Sequence, residues 1–322
     1  CLVEAGTGVG KTVAYLTPAI VQSLKGKPII VSTNTINLQE QLMSKDIPLM
    51  QQAMPDARLK PMLVKGRGNY LCLWELEQAK SDIFMHGDPL FERVLEWAEK
   101  TENGDLSELD FSFPNWGDIC SNQDTCRHQH CPYINKCHYY GMRKRASEAD
   151  LIVVNHSLFF SDLAVRQCDP KSSILPEYGA VIFDEAHHIE DVVSKVFGVE
   201  FHNHRVQSIL TRIKRRKDIA VTATELDMVD SANQKLFDLF QNVPRSEYFF
   251  KEALSEDKKK QAEDAATELL SHLDGLNKQL SQQEVEGDED LKNRIDGFRR
   301  VLGRMHDDLQ VLFFKEHDNY FK

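Results

Sequence analysis

A glycine-rich stretch near the N-terminus constrains this chain more than any other feature. Ala5-Gly6-Thr7-Gly8-Val9-Gly10-Lys11-Thr12 follows the apolar Cys1-Leu2-Val3. A strand running into a glycine-rich turn that ends in Gly-Lys-Thr is the arrangement of a phosphate-binding loop. The main-chain N–H groups of Gly6, Thr7, Gly8, Val9 and Gly10 are expected to point at phosphates. Lys11 reaches the outer phosphates, and the Thr12 hydroxyl suits Mg²⁺. Ala5 stands where such loops usually begin with glycine, a small departure because the tight turn depends on Gly6, Gly8 and Gly10. A chain that opens almost inside such a loop is expected to be a piece of a longer protein.

The segments around the loop follow a βαβα order. Thr12 to Lys25 has an apolar face (Val13, Leu16, Ile20, Leu24) and predicts a helix. Pro28-Ile29-Ile30-Val31-Ser32-Thr33 predicts a strand buried on both faces, and Leu38 to Met43 opens the next helix. A parallel sheet flanked by helices follows. From Lys65 to about Arg145 the periodicity breaks, and this stretch holds all three tryptophans and most of the cysteines. It reads as an insertion with few apolar residues. Strands resume at Ala149–His156 and at Ala180–Glu185.

Beyond about Val192 helices dominate. Ala262, Ala266, Leu269, Leu273, Leu276 and Leu280 recur at helical spacing, as do Leu291, Ile295, Phe298, Leu302, Met305, Leu309 and Leu312. The acidic segment 284–290 separates them, which predicts a helical hairpin.

The second chemical motif is Val181-Ile182-Phe183-Asp184-Glu185-Ala186-His187. An apolar strand ending in Asp-Glu is what a nucleotide hydrolase needs opposite its phosphate loop. Asp184 is the candidate Mg²⁺ ligand, Glu185 the group that orients and deprotonates the attacking water, and His187 the link to the rest of the machine. The alternative use is an acidic surface turn after a core strand.

Composition sets outer bounds. The chain has 322 residues, enough for about two domains, and a net charge of −11. That charge argues against wholesale coating of nucleic acid but leaves room for a local basic channel. Basic residues cluster at Lys65-Gly66-Arg67, Arg143-Lys144-Arg145 and 212–217, each also readable as a solvated surface. No run approaches the ~20 apolar residues of a membrane helix.

Of seven cysteines, four fall at 120, 126, 131 and 137, a density that suggests a metal site rather than disulfides. Four thiolates suit an iron–sulfur cluster or zinc. His128, His130 and His138 keep a mixed Cys/His zinc site open.

Taken together, these segments resemble a known family. Ala-Gly-Thr-Gly-Val-Gly-Lys-Thr with Asp-Glu-Ala-His resembles a superfamily 2 helicase with a DEAH box. Ser32-Thr33-Asn34-Thr35 with Leu38-Gln39-Glu40-Gln41-Leu42 resembles that group's motif Ia, which contacts nucleic-acid backbone. Gly66-Arg67-Gly68-Asn69-Tyr70-Leu71-Cys72 and Ala149-Asp150 through Asn155-His156-Ser157-Leu158 narrow the resemblance to the iron–sulfur helicases related to XPD, the bacterial DinG branch most closely. It covers residues 1–190 well. Beyond them only helical character matches.

The resemblance implies a RecA-like helicase domain split over 1–65 and 146–191, an iron–sulfur domain at 66–145 and a helical Arch-like domain at 192–322. It implies a [4Fe–4S] cluster on Cys72, Cys126, Cys131 and Cys137, with Cys120 a bystander or fallback ligand, and it favours the cluster over zinc. It implies ATP and Mg²⁺ at the phosphate loop, 5′→3′ movement along single-stranded and forked DNA, a monomer, and a cytoplasmic bacterial setting in DNA repair or replication. Metal ligation would supply folding energy that the insertion's sparse apolar residues lack. Tyr70, Trp74, Tyr133, Tyr139 and Tyr140 suit stacking on unpaired bases, with Arg67 and Arg143 near phosphates, although local packing is the commoner use of such aromatics. Asn155-His156 is implied near the nucleic acid or the nucleotide, a capping pair being the alternative. The family's second RecA-like domain, with its arginine fingers, has no counterpart after residue 190, so weak or absent ATP turnover is expected of this segment alone. Two other readings remain: a metal-stabilised single-stranded nucleic-acid binding module that retains a phosphate loop, and a protein acting chiefly as a nuclease.

Overall fold

The computed structural model describes residues 1–315 apart from 7, 81–84, 86, 124, 169–172, 217, 242–254 and 286. The chain divides into two compact units, Cys1–Asn122 with His128–Phe197, and Gln123–Arg127 with Gly198–Lys322.

The first unit is built on four parallel strands: β1 (Ile29–Thr33), β2 (Pro61–Leu63), β3 (Leu151–Asn155) and β4 (Ala180–Phe183), in the order β2-β3-β1-β4. β1 is central and buried at every position, as its run of Ile-Ile-Val demands. Because side chains alternate across a sheet, Ile29, Val31, Leu151 and Val153 pack on one face against Leu16, Ala19 and Ile20 of the Lys11–Ser23 helix and against Ile47 and Met50. Ile30, Ile152 and Val154 pack on the other face against Tyr139, Met142 and Ala146 of the His138–Ser147 helix and Leu158 and Phe159 of the His156–Cys168 helix. This is the α/β parallel sheet expected, with helices on both faces.

Cys1-Leu2-Val3 depart from expectation. They form no strand, and Leu2 is 91% exposed. A strand exists through the ladder bonds of its neighbours, and no described strand pairs with these three residues.

The insertion also differs from expectation. It has its own apolar core of Leu71, Leu76, Ala79, Met85, Phe91, Val94, Phe113, Trp116 and Ile119. Three short helices carry most of it: Leu73–Ala79, Pro89–Ala98 and Trp116–Ile119. The middle one starts on a strong local signal. The Asp88 carboxylate accepts from Leu90 N at 2.9 Å, and Pro89 takes the first helical position. The core closes onto the sheet-proximal chain through Trp116 Nε1, which donates to the Gly68 carbonyl at 2.7 Å.

The second unit is helical. Asn203–Lys214, Ala223–Asp238, Glu256–Ser281 and Glu289–Phe313 share one core in which Leu269, Leu273, Leu276, Phe298, Leu302 and Met305 are buried. The last two helices fall where the apolar spacing places them. The Asp288 carboxylate caps the final one, accepting from Leu291 N at 2.9 Å.

Candidate nucleotide and metal sites

The phosphate loop ends at the N-terminus of the Lys11–Ser23 helix. Gly8 and Gly10 have φ of 76° and 84°, the left-handed region that glycine enters without strain. A Cβ on Gly6, Gly8 or Gly10 would meet nothing within 4 Å, so the demand for glycine at 8 and 10 comes from backbone conformation rather than crowding. Gly6, Gly8, Val9 and Gly10 are exposed, and Thr7 lies outside the described residues. Free N–H groups at a helix start favour an anion.

Parallel topology brings the C-terminal ends of β1 and β4 to this loop. Lys11 Nζ donates to Glu185 Oε1 at 3.0 Å. The Tyr15 hydroxyl, one turn further along the same helix, donates to Asp184 Oδ2 at 3.4 Å. Thr12 is half-buried beside Tyr15. Asp184 N donates to the Ser32 carbonyl at 2.8 Å, which fixes the end of β4 against β1. Burial and the adjacent Glu185 charge push the Asp184 carboxyl above its usual range, against the pull of Lys11. The Lys11 hydrogen bond holds Glu185 below its usual range. The two neighbouring carboxylates are thus biased in opposite directions. His187 Nδ1 lies 3.5 Å from Glu185 Oε2 on an exposed turn, so Lys11, Asp184, Glu185 and His187 all converge.

Glu185 itself has φ 54° and ψ 47°, a left-handed conformation that costs a non-glycine residue about 1–2 kcal/mol. Tyr15 was not anticipated. Its only sequence signal is its position four residues after Lys11, which places it on the same helical face. The Asn155-His156 pair divides: Asn155 Oδ1 accepts from Leu158 N at 2.8 Å as a cap, while His156 is fully buried. In the motif Ia segment Thr35 caps the Ile36–Gln41 helix, its Oγ1 accepting from Leu38 N at 3.3 Å.

The cysteines are placed by the insertion's turns. Cys72 is held by its N–H donating to the Ile119 carbonyl at 2.9 Å. Its thiol is pushed up to about 12, chiefly by burial, with Cys137 near enough to contribute. Cys131 and Cys137 bracket consecutive turns, Ile134 N donating to the Cys131 carbonyl at 3.0 Å and Cys137 N to the Ile134 carbonyl at 3.3 Å. Cys126 falls in the other unit. Among the described residues no three His, Cys, Asp or Glu side chains stand close enough to hold a metal ion. The donor chemistry of Cys72, Cys131 and Cys137 fits a thiolate-bound group, Cys131 and Cys137 lying two turns apart. Cys120 Sγ instead lies 3.8 Å from the Gly117 carbonyl. Of the candidate histidines, His128 bonds the Tyr140 hydroxyl at 2.9 Å and His138 packs on Gly104.

Several residues proposed for DNA are occupied otherwise. Lys65 is buried, bonding Asp105 at 3.0 Å and Ser107 at 2.8 Å. Arg67 lies 4.2 Å over the Tyr139 ring, and Arg143 donates to the Ser173 carbonyl at 2.5 Å. Tyr70 and Tyr139 are buried packing residues. In the 212–217 run Arg212 lies over the Phe298 ring and Lys214 pairs with Asp227 at 3.2 Å. These basic side chains serve the fold because each sits next to an acceptor or ring that its own unit supplies.

The chain is similar to known bacterial helicases. The DEAD_2 family matches residues 119–206, which span Cys120, Cys126, Cys131, Cys137 and the Asp184–His187 turn. The chain is 39% identical over 203 residues to the ATP-dependent DNA helicase YoaA of Haemophilus influenzae, covering 61% of this chain and 31% of that protein. It is 36% identical over 236 residues to Escherichia coli YoaA, covering 70% and 35%, and 33% identical over 247 residues to the ATP-dependent helicase DinG of Mycobacterium tuberculosis, covering 69% and 36%. A Bacillus subtilis relative, 31% identical over 67% of this chain and 23% of its own length, is the 3′-5′ exonuclease DinG. The chain thus spans about a third of the helicases it matches. Over those matched residues the chain is similar to the DinG-like helicases.

Proposed function

We propose that this chain carries the first motor domain of an ATP-dependent DNA helicase. The observation that carries the reading is the approach of Lys11 to Glu185 at 3.0 Å, with Asp184 beside them at the end of the same strand. The main chain of Gly6, Gly8, Val9 and Gly10 would cradle the phosphates, with Thr7 expected to join them, and Lys11 neutralises the outer ones. Thr12 and Asp184 would hold Mg²⁺, which screens the phosphate charge. Glu185 orients the attacking water and takes its proton, and His187 links that carboxylate to the following turn. Hydrolysis so arranged drives opening and closing of motor lobes along single-stranded and forked DNA, 5′→3′, in repair or replication. The protein acts as a monomer in the bacterial cytoplasm.

Cys72, Cys126, Cys131 and Cys137 would ligate a [4Fe–4S] cluster. The burial of the Cys72 thiol supports this, since a thiol pushed upward by burial is one that a bound cation stabilises as thiolate. The insertion's own core holds that segment whether or not the group is present.

Strand displacement on duplexes with 5′ or 3′ tails, using the full-length protein, tests the motor and its direction. Unwinding from 5′ tails that is lost in Lys11→Ala is expected, and unwinding from 3′ tails alone contradicts the polarity. Iron and acid-labile sulfide in anaerobically purified protein test the cluster. A colourless, zinc-loaded protein contradicts it.

A further inference from the structure

The chemistry proposed above leaves one buried polar pair unused. His156, the first residue after β3, is 0% exposed. Its Nδ1 lies 2.7 Å from the Oγ of Ser32, which is equally buried in β1. Its ring stands 5.9 Å from that of Phe183, the last residue of β4. Ser32 in turn accepts at its carbonyl from Asp184 N at 2.8 Å. One buried node therefore joins the C-terminal ends of β1, β3 and β4.

The other ring nitrogen is informative. Among the described residues Nε2 is buried and meets no acceptor at hydrogen-bonding geometry, although the main chain of Asp184 and Glu185 lies close enough to act on the ring. A buried polar atom left in this way keeps its full desolvation penalty. An apolar residue of similar shape would fill the space without that cost. The turn beside it is the one where Glu185 adopts left-handed φ of 54°, a conformation that persists only when surrounding contacts over-determine it.

We infer that His156, oriented by Ser32, is a positioning residue for the Asp184–Glu185 turn. It holds the backbone of that turn so that the Glu185 carboxylate stays opposite Lys11 when phosphate arrives. This deepens the functional reading given above and rests on it. Ser32 fixes the ring by one bond, and the ring lies beside the turn. Loss of either relaxes the catalytic carboxylate without touching the phosphate loop.

The test compares the wild-type chain with Ser32→Ala, His156→Gln and His156→Phe. Affinity is measured for fluorescent MgADP and for the same nucleotide with beryllium fluoride, which mimics the outer phosphoryl group. Melting temperature is recorded alongside. MgADP affinity should stay within about twofold, while the beryllium fluoride complex weakens about tenfold in His156→Phe, the scale seen when a supporting partner of a site is removed. His156→Gln, which keeps a polar atom, should recover part of the loss, and Ser32→Ala should show a smaller loss of the same kind. Equal weakening of both nucleotides in step with the melting temperature overturns the inference, as does no change in either. If His156→Phe does not fold, Ser32→Ala decides, because it removes one atom and leaves the imidazole. A wild-type chain that binds neither nucleotide overturns the functional reading and this inference with it. Wild-type binding with variants unaffected overturns this inference alone.

Discussion

Lys11 Nζ and Glu185 Oε1 stand 3.0 Å apart although 174 residues separate them. Both side chains are one-third exposed, so the pair sits at an open surface where phosphate can reach it. An ammonium held between a carboxylate and an arriving polyphosphate favours the more highly charged partner. On the proposed function the pair is a resting contact that nucleotide displaces. Glu185→Gln removes the competitor for Lys11, and its affinity for a non-hydrolysed ATP analogue should equal or exceed that of the wild type. Lys11→Ala should lose at least about tenfold in the same fluorescence titration. Weaker binding by Glu185→Gln contradicts the displacement account.

A buried carboxylate secures the approach to β4. Asp162, fully buried, accepts from Ile174 N at 2.5 Å, Leu175 N at 2.9 Å and Arg166 Nε at 2.5 Å. Arg166 also donates to the carbonyls of Leu175 and Pro176. Asp162→Ala strands the guanidinium and two N–H groups together, so it should destabilise the chain by about 3–5 kcal/mol. Urea denaturation measures this. A loss near that of a surface substitution contradicts it.

How much of this was legible beforehand varies with the physics involved. The sheet was readable because Ile29–Thr33 and Leu151–Asn155 are continuous apolar runs of strand length. The convergence of Lys11 with Asp184 and Glu185 was readable because Gly-Lys-Thr and Asp-Glu-Ala-His each carry a mechanism in their spacing. The insertion's core was not, since Phe91, Val94, Phe113 and Trp116 come from short helices separated by turns, and no single window shows a period. The Asp88-Pro89 start was the available clue. Lys65, Arg67 and Arg143 read as free cations because their acceptors, Asp105, the Tyr139 ring and the Ser173 carbonyl, lie 30 or more residues away. Tyr15 was hidden for the same reason, its partner Asp184 lying 169 residues on.

The insertion's core would make its fold independent of the proposed metal. Cys131→Ser or Cys137→Ser should abolish iron binding yet leave far-UV circular dichroism unchanged. Phe91→Ala, which empties a buried site, should cost about 3–5 kcal/mol with or without iron. Unfolding of the cysteine variants would show that the metal, rather than this core, holds the segment.

Glycines divide by cause. Gly104 has φ 63°, and a Cβ there would stand 2.4 Å from the His138 ring. Gly104→Ala should therefore lower thermal stability clearly. Gly10→Ala meets only backbone strain of about 1–2 kcal/mol, and its chief effect should be lost nucleotide affinity. Gly6→Ala, with open space and no positive φ, should melt like the wild type. Calorimetry on the three variants checks the order, and an equal loss from all three contradicts it.

The central claim is that Lys11, Asp184 and Glu185 form a hydrolytic motor site. ATP turnover by the full-length protein, with and without single-stranded DNA, tests it most directly when wild type and Glu185→Gln are compared. The account predicts DNA-stimulated turnover in the wild type and a loss of at least about 10²-fold in Glu185→Gln, with nucleotide still bound. Undiminished turnover in Glu185→Gln, or a wild type that binds DNA but never hydrolyses ATP, would contradict it.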